Sequence, residues 1–193
     1  MKLFISSAEP SGDIIAAEVL ASLKYHLHEH PLHLSGIGGS YSEKQGLNSL
    51  FPMSDITVHG FTEVLPKIWQ ILKRIRQTAD YIIDNNPDLV ITIDAFDFHI
   101  RVARILRKKG FTGKLIHLVA PAVWAWGGGR AGKLMQYYNT LYCLLPFEPQ
   151  YFQKDGFKSL YVGNPVLHRF TNYQPEDNFR KKYGISEEAF VLT

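Results

Sequence analysis

The chain of 193 residues is long enough for one domain, or for one domain and the start of another. Its 46% hydrophobic and 20% charged residues exclude a disordered chain, a collagen-like repeat and a coiled coil, and its net charge of +3 is too small to indicate a nucleic-acid partner. The single cysteine, Cys143, excludes a disulfide scaffold and a cysteine-based zinc finger, and no apolar run approaches the roughly 18 residues that span a bilayer.

Strand-like and helix-like segments alternate along most of the chain, beginning with a short apolar strand, a polar loop and a helix. The strongest strand signal is the β-branched run from Leu89 to Ile93, which is typical of a parallel strand covered on both faces. The predicted strands cover residues 2–6, 32–37, 89–93, 114–119, 141–145 and 159–162. The predicted helices cover residues 11–27, 41–46, 64–76, 99–109, 131–138 and 149–155. This alternation predicts an α/β fold with an open, mainly parallel sheet and helices on both faces.

The end of the chain differs in composition from the rest. Residues 172–188 are polar and predict a linker with a short helix, and residues 189–193 predict the beginning of another strand. We therefore expect a first domain at residues 1–170, followed at 171–193 by a linker into a truncated second domain.

The loop after the first strand carries acidic and hydroxyl side chains. Ligands bind at the carboxyl ends of the strands in open parallel sheets, so this loop is a candidate binding loop. It lacks the spaced glycines of a dinucleotide fingerprint and the Lys-Ser/Thr ending of a P-loop. Glu9 and Asp13 instead place acidic oxygens where sugar hydroxyls can be held. The alternative is that Ser11 and Asp13 cap the following helix.

Two carboxylates follow the strongest predicted strand. Asp94 comes directly after Ile93, and Asp97 lies one helical turn further on. A carboxylate at the mouth of a cleft is suited to act as a general base. The alternative is that Asp94 caps the turn and Asp97 caps the next helix.

A loop rich in tryptophan and glycine occupies residues 123–130. Trp124 and Trp126 offer faces that stack on sugar rings, and Arg130 fits a bidentate contact with phosphate. The alternative is that both indoles pack in the core or at a hinge.

The predicted helix at 64–76 is amphipathic and basic. Such a helix lies readily on an anionic membrane surface, although packing against the core is the usual role of an amphipathic helix. Its candidate membrane-facing residues are Val64, Leu65, Ile68, Trp69, Ile71, Leu72, Lys73 and Arg74.

The histidines near the end of the first helix do not predict a metal site. His26, His28, His30 and His33 lack the His-Glu-x-x-His spacing of a zinc site, and no set of carboxylates completes one. No metal or other cofactor is expected.

Seven short motifs occur in one order along the chain: EPSGD at 9–13, GIGG at 36–39, GFTEVL at 60–65, IDAFDF at 93–98, VWAW at 123–126, LLPFE at 144–148 and VGNP at 162–165. Together they resemble the lipid A disaccharide synthase family, bacterial glycosyltransferases of the two-domain GT-B type. The resemblance extends over nearly the whole chain and implies the Rossmann-like half of that fold.

The resemblance also implies a reaction and a place in the cell. The family transfers 2,3-diacylglucosamine, with inversion, from UDP to the 6-hydroxyl of 2,3-diacylglucosamine 1-phosphate (lipid X). On this resemblance Asp94 matches the proposed base, Ser11 and Asp13 match cleft positions, and residues 64–76 match a surface on an anionic membrane. It implies a peripheral protein on the cytoplasmic face of the inner membrane. The second half of such an enzyme holds most of the UDP, so we expect the 193-residue chain alone to be inactive.

The chain departs from the family pattern at four positions. The family usually has Ser at the positions of Ala120 and Ala122, Arg at Gly127 and His at Asn164. These differences predict a weaker phosphate contact from the tryptophan loop. Two other functions stay open: a carbohydrate- or lipid-binding module without catalysis, and another UDP-sugar enzyme such as an epimerase. Acyl-chain length and oligomeric state are not predicted.

Overall fold

One parallel sheet organises the chain. A computed structural model describes residues 1–28, 31–57, 61–126, 129–168 and 179–191, with the backbone alone described at 61–65, 126, 166 and 168. Within these ranges six strands pair in parallel in the order β2-β1-β3-β4-β5-β6, which confirms the predicted open sheet. The strands are β1 (Lys2–Ser7), β2 (His33–Ile37), β3 (Leu89–Ile93), β4 (Lys114–Leu118), β5 (Thr140–Cys143) and β6 (Lys158–Tyr161).

Helices connect the strands. They are α1 (Pro10–His26), α2 (Ser40–Lys44), α3 (Phe61–Asn85), α4 (Phe96–Lys108), α5 (Val123–Trp126), α6 (Gly129–Tyr137), α7 (Pro165–His168) and α8 (Phe179–Tyr183). The predicted helix at 149–155 is wrong: only a 3-10 turn, Glu148–Tyr151, forms there. The predicted helix at 64–76 is part of a much longer one, α3, which continues to Asn85.

The core lies on both faces of the sheet. On one face, Ile5 and Ile91 pack in a cluster with Leu20 of α1. On the other face, Val90 packs in a larger cluster with Leu106 of α4 and with residues of α3 and α6. Side chains alternate between the faces of a strand, so the residues of β3, which are apolar except for Thr92, serve both clusters.

Three strands end level with one another, and this alignment positions the candidate site. The last residue of β3, Ile93, pairs with Ser7 at the end of β1 and with Leu118 at the end of β4. The loops after these three strands therefore begin at one edge of the sheet. That edge is the carboxyl edge, where ligands bind in open α/β folds.

The last described segment has little regular structure. The short helix α8 agrees with the prediction for residues 172–188, but the strand predicted at 189–193 is not present at 189–191. Phe190 in that segment is 90% exposed. Residues 192 and 193, and the beginning of the predicted linker at 171–178, lie outside the described residues.

Candidate active site

A cleft of about 770 Å³ opens at the carboxyl edge of the sheet, next to the loops that follow β1, β3 and β4. Its charged lining consists of Glu9, Asp94, Asp97, Arg101 and Arg130. Its apolar lining includes Ile56, Ile71, Phe96, Phe98 and Ala120. Apolar walls with a few convergent polar groups are characteristic of small-molecule sites. The cleft brings together five of the candidate site residues singled out from the sequence: Glu9, Ile71, Asp94, Asp97 and Arg130.

Asp94 directly follows β3 and is half-buried in the wall of this cleft. Its Oδ1 accepts a hydrogen bond of 2.9 Å from the amide of Ala95. Its Oδ2 has no hydrogen-bond partner among the described residues. One carboxylate oxygen is therefore held by the turn, and the other is available to a ligand.

The turn that carries Asp94 has a left-handed backbone. The φ angles are 54° at Asp94 and 42° at Ala95, and Val119 at the end of the next strand has φ 77°. Each such residue costs about 1–2 kcal/mol, because the Cβ crowds the carbonyl. Backbone hydrogen bonds to the neighbouring strands hold them: Asp94 donates to Leu118 and Val119 to Tyr142, each at 3.0 Å. Strained residues of this kind are concentrated at functional sites.

A buried histidine, His99 of α4, holds the same turn from the core side. The Nδ1 of His99 lies 2.8 Å from the backbone oxygen of Asp94, and its Nε2 lies 2.9 Å from Oγ of Ser6 on β1. Burial lowers the pKa of His99 to about 4, so the ring is neutral at physiological pH. Because a carbonyl oxygen only accepts, Nδ1 carries the proton and Nε2 accepts from the Ser6 hydroxyl. Sequence analysis missed His99; its signal is a histidine on the inward face of α4, five residues after Asp94.

A second buried histidine packs beside the first. His117 Nδ1 lies 2.7 Å from Thr92 Oγ1, which is also 2.9 Å from the hydroxyl of Tyr138. Burial, and then the proximity of His99, lower the pKa of His117 to about 3, and burial raises the pKa of Tyr138. His117 Nε2 is buried without a hydrogen-bond partner. The layer beneath the cleft is therefore polar and uncharged.

Asp97 and Arg130 form an ion pair across the cleft. Asp97 Oδ2 lies 3.1 Å from a guanidinium nitrogen of Arg130, whose guanidinium carbon lies 5.6 Å from the centroid of the Phe96 ring. The two side chains are 65% and 43% exposed, and pairs so exposed to solvent contribute less than about 1 kcal/mol. A ligand can therefore replace this pair at little cost. Asp97 Oδ2 is engaged by Arg130, whereas Asp94 Oδ2 has no partner among the described residues.

The three candidate residues of the first loop, Glu9, Ser11 and Asp13, lie in different environments, and only Glu9 lines the cleft. Glu9 precedes α1 and lines the cleft. Ser11 is exposed on the first turn of α1 and is not among the cleft-lining residues. No capping hydrogen bond from a side chain occurs at the start of α1, so the alternative that Ser11 is a cap is also not realised.

Asp13 has a structural role in place of the substrate contact expected from the sequence. It is 1% exposed, and its carboxylate accepts hydrogen bonds from the amides of Gly39, Tyr41 and Ser42 and from the Ser42 hydroxyl. These groups form the start of α2, so Asp13 caps α2 rather than its own helix. A Cβ on Gly39 would lie 2.8 Å from Asp13 Oδ2, so glycine permits this approach.

The described part of the tryptophan loop borders the cleft. The three residues before the loop, Ala120, Pro121 and Ala122, line the cleft, as does Arg130 at the end of the loop. Trp124 is 50% exposed and packs edge-on against Phe147, with ring centroids 5.8 Å apart. The side chain of Trp126 lies outside the described residues. Substrate stacking by either indole stays a prediction.

Comparison with known proteins identifies the family. The model of a family described as lipid-A-disaccharide synthetase matches residues 3–193. The chain belongs to this family. A lipid-A-disaccharide synthase from Rhodospirillum centenum is 41% identical over 191 residues, which are 99% of this chain and 47% of that protein. One from Rickettsia bellii is 42% identical over 192 residues, which are 99% of this chain and 49% of that protein. The chain thus spans about half the length of these relatives.

Solved structures share the fold at much lower identity. A UDP-GlcNAc 2-epimerase from Methanocaldococcus jannaschii, in complex with UDP-GlcNAc and UDP, superposes with a TM-score of 0.59 and 14% identity. The match covers 85% of this chain and 47% of that one. A lipopolysaccharide outer core galactosyltransferase superposes with a TM-score of 0.53 and 12% identity, over 86% of this chain and 46% of that one.

The lipid-A-disaccharide synthetase motifs quoted above are concentrated at the ends of strands. EPSGD follows β1, GIGG closes β2, and IDAFDF contains the end of β3 and the Asp94 turn. LLPFE and VGNP follow β5 and β6. In LLPFE the buried Glu148 accepts hydrogen bonds from the amides of Leu144 and Leu145. Burial also raises the pKa of the Cys143 thiol, just before this motif, to about 12, so this thiol is unreactive at physiological pH.

An exposed apolar surface on α3 continues from the cleft of this family member. Ile68, Trp69 and Leu72 are 40%, 80% and 38% exposed, and Lys73 is exposed beside them. Ile71, one residue from Leu72, lines the cleft itself. This α3 surface, defined here as Ile68, Trp69, Leu72 and Lys73, therefore borders the site that contains Asp94.

Other residues of the predicted membrane face lie elsewhere. The Arg74 guanidinium donates to Asp55, with 2.8 Å between its Nε and Asp55 Oδ2, and it covers the ring of Phe51 at 4.5 Å. Arg74 is therefore engaged within the protein, which corrects the expectation that it faces lipid. The side chains of Val64 and Leu65 lie outside the described residues. No helix in the described ranges combines the length and hydropathy needed to cross a bilayer, and no three metal-ligand side chains cluster there.

Proposed function

We propose that this chain forms the acceptor-binding and base-bearing part of a lipid A disaccharide synthase. The reaction is the transfer of 2,3-diacylglucosamine from UDP to the 6-hydroxyl of lipid X, giving lipid A disaccharide and UDP. Membership of the lipid-A-disaccharide synthetase family supports this reaction. The observation that carries the residue assignment is the placement of Asp94 in the cleft with Oδ2 unpaired among the described residues.

In this proposal Asp94 acts as the general base. Oδ2 accepts the proton of the 6-hydroxyl as that oxygen attacks the anomeric carbon of the donor. The bond from the anomeric carbon to UDP breaks on the opposite face of the sugar, and its electrons leave with UDP. Direct displacement inverts the anomeric centre and needs no covalent sugar intermediate. Glu9 and Asp97 supply acceptor groups for sugar hydroxyls in the same cleft.

The donor requires the remaining half of the protein in this proposal. The relatives are about twice as long as this chain, and the epimerase structure in complex with UDP-GlcNAc and UDP is matched over 47% of its length. Residues 1–170 would then be the acceptor domain, and residues 171–193 would lead into a donor-binding domain. The 193-residue chain by itself is expected to lack transfer activity.

The α3 surface gives this proposal a route for acylated substrates. Both substrates carry acyl chains, and apolar residues next to a lysine suit the surface of an anionic bilayer. Ile71 and Ile56 extend apolar lining from that surface into the cleft. An acceptor can thus keep its chains near the bilayer while its 6-hydroxyl reaches Asp94. The location proposed is the cytoplasmic face of the inner membrane.

Replacement of Asp94 by asparagine tests the function. Asparagine tolerates a left-handed backbone and keeps an oxygen for the Ala95 amide, so D94N should fold normally. In the protein expressed from its complete reading frame, we expect transfer to fall by about 10²–10⁴-fold, the range for loss of a general base. The control D84N removes an exposed carboxylate outside the cleft and should retain the wild-type activity. Near-normal turnover by D94N would remove Asp94 from the mechanism.

The alternatives make different predictions. A binding module without catalysis would show no transfer in the complete wild-type protein. A UDP-sugar epimerase would convert UDP-GlcNAc without any acylated acceptor. The family match supports the transferase and neither of these alternatives. The likeness to the epimerase is at 14% identity and concerns the fold alone.

A further inference from the structure

A basic groove runs away from the cleft between α4 and α6. It has a volume of about 420 Å³ and shares Phe96, Asp97, Arg101 and Arg130 with the cleft. Its further charged residues are Arg104 and Lys133. We define this basic groove by four cations: Arg101, Arg104, Arg130 and Lys133. The reaction proposed above assigns no role to it.

Helix geometry places the four cations as two facing pairs. Arg101 and Arg104 are three residues apart on α4, and Arg130 and Lys133 are three residues apart on α6. Residues at this spacing lie on one side of a helix. The two helices pack against each other, and both pairs line the same groove.

The charges in the groove are not balanced by the protein. Asp97 is the only acidic lining residue; its carboxylate pairs with Arg130, and its backbone oxygen accepts from Arg101 at 3.1 Å. The side chains of Arg104 and Lys133 have no hydrogen-bond or ion-pair partner among the described residues. Four cations and one carboxylate leave a net charge of about +3 in a small groove. An anion of two charges would relieve their mutual repulsion.

We propose that the basic groove binds a phosphate monoester, which in the function proposed above is the 1-phosphate of the acceptor. Guanidinium groups bind phosphate through paired N–H donors, and the ammonium group of Lys133 adds a point charge. The groove meets the cleft at Asp97 and Arg130, so one sugar phosphate reaches both sites. Because the Asp97–Arg130 pair is largely exposed, Arg130 can exchange it for the phosphate.

This inference rests on the proposed function but predicts a separate effect. A base at Asp94 acts on any acceptor with the correct hydroxyl, whereas the basic groove distinguishes acceptors by their phosphate. Removal of the unpaired cations should therefore affect only phosphorylated acceptors. The effect should appear in KM rather than in kcat, because Arg104 and Lys133 line the groove but not the cleft that contains Asp94.

The kinetic test compares two acceptors in the complete protein: lipid X and the same diacylglucosamine without its phosphate. For the double variant R104A/K133A, we expect kcat/KM for lipid X to fall about 10–100-fold through KM, with the rate on the other acceptor unchanged. The control K108A/K114A removes the same charge from exposed sites outside the groove and should match the wild type. Equal losses on both acceptors, or no loss on lipid X, would overturn the proposal.

A binding test separates this proposal from the transfer reaction and from lipid headgroups. Glucosamine 1-phosphate, titrated into the 193-residue chain without lipid, should shift the NMR signals of residues 101–104 and 130–136 saturably. The shifts should be lost in R104A/K133A and absent with glucosamine. Shifts equally large in the variant would overturn the proposal, even if transfer is confirmed. The wild-type chain and R104A/K133A should bind phosphatidylglycerol vesicles equally well. Weaker vesicle binding by R104A/K133A would overturn the proposal and assign the groove to bilayer phosphates instead.

Discussion

The ring of His99 joins the turn at Asp94 to the neighbouring strand, with Nδ1 2.8 Å from the backbone oxygen of Asp94. Its other nitrogen is bonded to Ser6, so the ring spans from β1 to the end of β3. The turn is left-handed at both Asp94 and Ala95, and the histidine is one of the few groups that hold it from the core side. His99 is therefore a positioning residue for the Asp94 carboxylate.

Variants of His99 should separate this positioning role from simple filling of the core. H99A removes both hydrogen bonds, whereas H99N keeps an N–H donor close to the position of Nδ1. In the complete protein, with Asp94 as the proposed base, we expect kcat to fall about 10–100-fold in H99A, because small displacements of a base are costly, and to fall much less in H99N. The control S6A loses only the bond to Nε2 and should retain activity. Equal kcat values for H99A and H99N would contradict the role.

Stability should depend on pH through the two buried histidines. Their pKa values of about 4 for His99 and about 3 for His117 lie below the unfolded value of 6.5. Between pH 6.5 and 4 the unfolded chain binds more protons than the folded chain, so the free energy of unfolding decreases as the pH falls. At pH 5 the loss is on the order of 2 kcal/mol for each histidine, and above pH 7 this contribution is constant.

Urea denaturation of the chain at pH 7.5, 6 and 5 measures this effect. A variant with a single buried histidine, H117F, should lose about half of the pH dependence between pH 6.5 and 5. The exposed His26 provides the control, since H26F should retain the full dependence. If the free energy of unfolding of H117F changed with pH as much as that of the wild type, His117 would not contribute to the pH dependence of stability.

The sequence predicted the elements that local patterns determine. The run from Leu89 to Ile93 has the apolar, β-branched composition of a strand buried on both faces, and Asp94 interrupts it abruptly, so both the strand and the position of the carboxylate agree with the structure. The parallel arrangement of the strands followed from the alternation of elements, whereas the strand order was not predicted. By contrast, the reason for glycine at position 36 becomes clear only in the sheet, because a Cβ there would lie 1.8 Å from the oxygen of Ile5 on β1.

Other features depend on tertiary contacts that a sequence pattern does not contain. Asp13 has the spacing of a cap for its own helix, yet its partners are residues 39–42, brought near by the pairing of β1 with β2. Arg74 has the spacing of an exposed basic residue, yet Asp55 and Phe51 meet it from a separate segment. The 3.6-residue period identifies a face of a helix but not what covers it.

The buried cap at Asp13 should make a large contribution to stability. D13A leaves the amides of Gly39, Tyr41 and Ser42 without their acceptor inside the protein, which should lower the free energy of unfolding by about 3 kcal/mol. The exposed neighbour Ser11 is the control, and S11A should change stability by less than about 0.5 kcal/mol. Denaturation curves at pH 7.5 measure both. If D13A in the complete protein were stable but had lost transfer activity, the result would instead support the substrate contact predicted for Asp13.

The apolar residues of the α3 surface should carry membrane binding. Replacing Ile68, Trp69 and Leu72 together by serine removes exposed apolar area without opening the core, so folding should be retained. We expect flotation with vesicles containing phosphatidylglycerol to fall at least about ten-fold, since three exposed apolar anchors are lost. The control replaces Tyr25, Leu160 and Tyr161, which are also exposed, by serine. Equal flotation of the two triple variants would argue against a specific membrane surface.

Lys73 and Arg74 should behave differently although they are neighbours with the same charge. Lys73 is exposed on the α3 surface, so K73Q should weaken binding to anionic vesicles, by about 1 kcal/mol at low salt, and leave stability unchanged. Arg74 is mostly buried against Asp55 and Phe51, so R74Q should lower the free energy of unfolding by about 1–3 kcal/mol and leave vesicle binding unchanged. Flotation and urea denaturation measure the two effects independently. If R74Q weakened vesicle binding as much as K73Q, Arg74 would contact lipid after all, and its guanidinium would have to leave Asp55 at the bilayer.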